Sequence, residues 1–165
     1  MKPWVKRPVE EANLLNPAFC CVTVTTFASG YAGVDPSGVP FPLAFLALPL
    51  SLHKATRDKL PPNTRTSLAA WLQDNVETRL GFASRVMALR PYTREAVMYG
   101  LLHGWLKLAD GGRLIPLMSE PVVDRNIRKI DEEARDCVRR AKFIGRWLAA
   151  AGPPQTVMAL WGIRP

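Results

Sequence analysis

The chain has 165 residues, 48% hydrophobic and 22% charged, with a formal net charge of +8 and a sequence pI near 9.9. This is enough apolar material for one ordinary globular core, divisible into two small lobes, and it excludes a chain that is disordered over most of its length. The positive charge favours an acidic partner, either nucleic acid or an acidic protein surface, without choosing between them.

In chain order, the first helix signal is LLNPAFCCVTVTTFASGY, where Asn16 can cap and Pro17 suits the first helical turn. Phe19, Val22, Val24 and Phe27 leave this segment no polar face, so it is either a central core element or a strand, and we read it as helix. Cys20 and Cys21 sit in it with no local cation, which marks them as inert buried thiols. With Cys137 they make an odd count of three, which fits reduced thiols better than a disulfide framework. GVDPSGVP then reads as a loop.

The stretch from Val39 to Leu52 contains PFPLAFLALPLSL and raises the question of a membrane. It is too short for a span, which needs about 20 apolar residues, and Pro40, Pro42 and Pro49 each remove a backbone donor. It also begins too far along the chain to serve as a secretory signal. The expectation is a buried, proline-bounded core helix or a partner-facing surface, with no membrane contact. ATRDKL follows as a short helix stopped by Pro61 and Pro62.

Asn63 or Thr64 is the next expected cap, before TSLAAWLQDNVETRLGFASRVMAL, which breaks near Asp74 and Asn75 into two helices. Pro91 ends that section and Thr93 restarts a helix, TREAVMYGLLHGWLKL, with Glu95 in its first turn. Asp110-Gly111-Gly112 joins LKL to RLIPL as a β-hairpin. Helix, helix, capped helix and hairpin is the element order of a winged helix, an architecture used for DNA and for protein contacts alike.

From Val123 the apolar positions 123, 127, 130, 134, 137, 141, 144 and 148 form a heptad seam on one long helix, facing either its own core or a partner. Arg139 and Arg140 lie beside that seam, and Glu132-Glu133, like Glu10-Glu11, read as solvated surface charge. Gly152 and Pro153-Pro154 stop the helix. Trp147, Met158, Leu160 and Trp161 make the last segment more apolar than a free terminus.

The chemistry-bearing inventory is thin. There is no G-x-x-x-x-G-K-[ST] loop, and DGGR reads as a turn. His53 and His103 have no Cys or carboxylate at ligand spacing, so no metal site is expected. We therefore expect no catalytic residue and no cofactor, but a binding protein. Its candidate contact residues are the basic group Lys54, Arg57, Lys59, Arg65, Arg94, Lys107 and Arg113, read as phosphate contacts or as a scattered solvated face, and the C-terminal surface.

The segments LLNPAFCCVTV, GVPFPLAFLALPLSLHKATRDKLPPNTRTSLAAWL, RPYTREAVMYGLLHGWLKLADGGRLIP and FIGRWLAAAGPPQTVMALWGIRP together resemble the middle component of bacterial three-component ABC systems, the Lamassu-like anti-phage type among them. The resemblance covers most of the chain but includes no catalytic motif. It implies a non-enzymatic accessory subunit that docks on an SMC/Rad50-like ABC ATPase and scaffolds or restrains an effector, commonly a nuclease, with double-stranded DNA reached through the complex. On this reading the chain is cytoplasmic, and His53, Lys54, Thr56, Arg57, Arg65, Arg94, Lys107, Arg113, Arg139, Arg140 and Trp161 are its candidate partner or DNA contacts. The expected fold is mainly α with one small β-hairpin: a winged-helix-like α+β domain over 1–121 and a C-terminal helical extension over 122–165. The rival is a free-standing winged-helix transcriptional regulator. Against it, AVMYGLLHGWLKL offers few side chains suited to base edges.

Overall fold

The computed structural model describes residues 7–118 and 130–163. The described chain is mainly helical with a small three-stranded antiparallel sheet, as expected. After the short α1 (Val9–Leu14), α2 (Pro17–Ala32) runs through the middle of the core. Its start is the one read from the sequence: the Asn16 Oδ1 accepts from the N–H of Ala18 at 2.9 Å and of Phe19 at 3.4 Å, and Pro17 occupies a position that needs no donor. Cys20, Cys21, Val24, Phe27, Ala28 and Tyr31 are all buried, so the absence of a polar face reflects neighbours on every side. Thr23 satisfies its hydroxyl within the helix by donating to the Phe19 carbonyl at 3.0 Å.

The Val39–Leu52 run is core, divided among β1 (Val39–Pro40), α3 (Phe41–Ala44) and α4 (Ala47–Leu52). Pro42 and Pro49 fall in first turns, where a missing N–H costs nothing. Among the described residues no helix is long and apolar enough to cross a membrane. β1 was read as loop. Only two residues long and ending in proline, it pairs with the hairpin through Val39 opposite Leu114 and Pro40 opposite Arg113. Gly38, at φ +90°, allows the approach, because a Cβ there would lie 2.7 Å from the Leu114 carbonyl oxygen.

α5 (Lys54–Arg57) is shorter than expected. The cap of α6 (Leu68–Asp74) is Ser67, whose Oγ accepts from the Ala70 N–H, while Asn63 closes a local turn on the Arg65 N–H. The expected break follows, as a 3-10 turn at Val76–Arg79. α7 (Phe82–Leu102) then corrects the sequence reading, since it passes straight through Pro91. The bond Pro91 cannot donate would have gone to the Met87 carbonyl on the helix's outer side, where Met87 is exposed and water can take the acceptor. Thr93, the expected cap, is buried in mid-helix and donates to the Leu89 carbonyl at 3.1 Å.

The hairpin forms where expected, as β2 (Leu106–Ala109) and β3 (Arg113–Pro116), with Gly111 and Gly112 both at positive φ in the turn and a strand order β1-β3-β2. α8 (Glu132–Ala149) is a second correction. Val123 and Ile127 of the seam lie outside the described residues, and Ile130 precedes the helix, because the Asp131 carboxylate accepts from the Ala134 N–H at 2.9 Å and starts it there. Of the remaining seam residues, Cys137, Ala141, Ile144 and Leu148 are buried toward the chain's own core, while Ala134 is half-buried.

α2 and α8 meet backbone to backbone. A Cβ at Gly30 would lie 2.0 Å from the Lys142 carbonyl oxygen, and one at Gly145 2.0 Å from that of Phe27. α9 (Pro154–Leu160) folds back and delivers Trp161 to an aromatic cluster. Trp161 lies 4.3 Å from Phe82 and 6.1 Å from Trp71 between ring centroids, and Trp71 meets Trp147 edge-on at 5.2 Å.

Candidate functional site

A groove of about 720 Å³ opens between α1, the start of α2, the end of α4, the first half of α7 and the start of α8. Its walls are apolar, from Leu14, Leu15, Phe19, Pro49, Leu52 and Leu89, and its polar lining comes from His53, Arg85, Glu11, Asp131 and Glu133. The LHKATR segment forms one edge because Leu52 ends α4 in the core and His53 breaks the helix in an extended conformation, then caps α5. The His53 Nδ1 lies 2.8 Å from the Thr56 hydroxyl and 3.3 Å from its backbone N, while Nε2 faces the Arg85 guanidinium at 3.3 Å. Burial, then the nearby charges of Arg85 and Arg57, push the His53 pKa below the ordinary histidine range, which favours the neutral ring.

Arg57 lies behind this edge, fully buried. It donates to the Ser51 carbonyl at 2.8 Å, to Asp136 Oδ2 at 2.6 Å and to Glu133 Oε1, joining α4, α5 and α8. Its role is thus internal, unlike the phosphate or partner contact expected of it, and Glu133 is correspondingly a ligand of that guanidinium. A second anchor ties the N-terminal segment down. Arg7 makes a bidentate pair with Glu95 at 2.8 and 2.9 Å and lies over the Tyr92 ring, whose hydroxyl donates to Glu11 at 2.7 Å. Glu95 therefore holds Arg7, the partner the sequence reading did not foresee, and Glu11 is likewise engaged.

The remaining expected contact residues are dispersed. Lys54 is exposed and pairs with Asp58 one turn on, Arg113 bridges Asp35 and the Gly38 carbonyl, and Arg140 pairs with Asp136. Arg65, in the loop before α6, and Arg94, Lys107 and Arg139, on α7, β2 and α8, are exposed and apart, and Trp161 is interior. The structure brings His53, Lys54 and Arg57 together and leaves the others apart. Arg85, Ser51 and Asp136 were missed; Arg57 and Asp136 are 79 positions apart, and neither segment carries a local pattern that names the other.

The cysteines are buried thiols as read: burial raises Cys20 to about 12 and Cys21 to about 11. Among the described residues no group of three or more His, Cys, Asp or Glu side chains is placed to hold a metal ion.

The described chain is thus a helical fold fastened by internal ion pairs, with an open groove and scattered surface cations. The chain belongs to the family described as ABC-three component (ABC-3C) system Middle Component 3, whose profile matches residues 4–165. It is thus a middle component of a three-component ABC system, an accessory part alongside an ABC ATPase and an effector. No curated protein and no solved structure matches the chain.

Proposed function

We propose that the chain is the non-catalytic accessory subunit of a Lamassu-like anti-phage complex, cytoplasmic, docking on an SMC/Rad50-like ATPase and scaffolding or restraining an effector such as a nuclease. The observation that carries this reading is the family match over residues 4–165, which spans the whole described fold and not one motif within it. The side-chain chemistry supports it. The strongest charge clusters, at Arg57 and Arg7, are spent on joining elements to one another, as a rigid adaptor needs.

A long helix followed by a hairpin supports a winged-helix-like use of the N-terminal 121 residues. DNA is reached through the complex: exposed Arg65, Lys107 and Arg139 do not share an element that could lie along a groove of the duplex. His53 and Lys54, at the groove edge, are the contact residues this reading retains there. The test is co-expression with the genomic neighbours and purification through a tag on this chain, with the mass of the eluate measured by light scattering. Co-elution of an SMC-type ATPase at fixed stoichiometry is expected. Elution alone as a symmetric dimer that shifts DNA from its own locus overturns the reading in favour of a regulator.

A further inference from the structure

α7 is apolar on two sides. Inward, Val86, Thr93, Ala96, Val97 and Gly100 are buried. Outward, Ala83, Met87, Arg90, Arg94, Met98 and Leu102 recur at helical spacing and fall within an arc of roughly 120°, and all six are exposed. Met87 is 64% exposed, Met98 55% and Leu102 78%, unusual values for large apolar side chains gathered on one helix face. The arc holds no carboxylate. Its two charges, Arg90 and Arg94, form no ion pair among the described residues.

We propose that this outer face of α7 is a docking surface for a protein partner that presents an apolar ridge bordered by Asp or Glu carboxylates. The inference rests on the accessory-subunit reading and says which face that subunit uses. Charge selects the occupant. A second copy docked face to face by a two-fold axis would bring Arg90 and Arg94 against their own counterparts, which disfavours self-association. Nucleic acid would set three apolar side chains against phosphates while using two cations, a poor match to interfaces that are polar and strongly basic. A partner with carboxylates along the border of an apolar ridge buries Met87, Met98 and Leu102 and pairs Arg90 and Arg94, which lie between the two methionines along α7 and on one edge of the arc.

The experiment uses the full chain co-expressed with its two genomic neighbours. The wild type is compared with a Met98→Glu/Leu102→Glu double variant and with Arg94→Glu, first for an unchanged thermal midpoint of the isolated chain and then for partner capture by titration. Should the two glutamates unfold the chain, Met98→Gln/Leu102→Gln replaces them. The expected result is more than tenfold weaker capture for the double variant, and for Arg94→Glu a slower association with a shallower salt dependence. Capture by the wild type and by the folded double variant with equal affinity overturns this inference and leaves the accessory-subunit reading standing. A wild type that captures neither neighbour overturns both. Self-association abolished by Met98→Glu/Leu102→Glu, or a DNA shift abolished by Arg94→Glu, assigns the face to a second copy or to phosphates and overturns the proposal.

Discussion

α2 and α7 are the helices to set side by side. Both carry apolar side chains on more than one face, yet α2 is enclosed on all sides while α7 keeps Met87, Met98 and Leu102 in water. Enclosure of α2 needed more than hydrophobicity. It needed Gly30 and Gly145 at the crossing with α8, so that two backbones could touch, and glycine costs helix stability wherever it is not required. Apolar content alone does not tell inside from outside in this chain. What distinguishes them is whether small residues and buried ion pairs have brought a neighbour against the face.

The sharpest way to break the comparison is to truncate each helix in turn. Phe27→Ala in α2 is expected to cost about 4 kcal/mol, combining lost transfer energy with a cavity in a closely packed site. Met98→Ala on the outer face of α7 is expected to stay within about 0.5 kcal/mol. Urea unfolding of both variants checks the pair, and equal losses would erase the distinction. Next in size, Gly145→Ala places a methyl carbon against the Phe27 carbonyl and forces α2 and α8 apart, for an expected loss of about 3 kcal/mol in the same assay. Arg57→Met follows at about 2 kcal/mol, below the usual cost of breaking a buried pair. The reason is that the Glu133 and Asp136 side chains are 57% and 42% exposed and regain water, leaving mainly the Ser51 carbonyl without its donor.

The smallest effect concerns pH. The folded His53 has a lowered pKa, so the unfolded chain binds its proton first as pH falls. The stability contributed by the neutral ring is therefore present above the ordinary histidine range and lost on acidification through it, levelling off below the folded pKa. Thermal midpoints between pH 7.5 and 5.5 should fall more for the wild type than for His53→Gln, and parallel curves would show that His53 does not report on the groove edge.

Much of this was legible in the sequence because its causes are local. Asn16-Pro17, the break after Asp74 and the Asp110-Gly111-Gly112 hairpin each depend on a few adjacent residues, and each formed. Pro91 misled because its cost depends on which side of the helix it faces, a tertiary fact. Asp131 misled in the other direction, since a heptad pattern runs through a capping residue without registering that the helix starts at the cap. The candidate site was the least legible part. Arg57 looks like any surface cation in LHKATR, and only the approach of α8 across nearly 80 positions makes it an internal anchor. Glu95 was read as a dipole partner for a helix start that does not exist; its actual partner, Arg7, lies 88 positions earlier in the chain. The exposed stripe on α7 was hidden by the expected break at Pro91, which divided one continuous face between two helices.

The most direct measurement is methionine oxidation footprinting by mass spectrometry, on the free chain and on the complex with its genomic neighbours. In the free chain Met87 and Met98 should oxidise readily while Met158, 5% exposed in the core, stays protected as an internal reference. In the complex Met87 and Met98 should become protected together, with Met158 unchanged. Equal oxidation of Met87 and Met98 in the free and bound states would contradict it, placing the partner on another face and leaving the outer side of α7 in solvent.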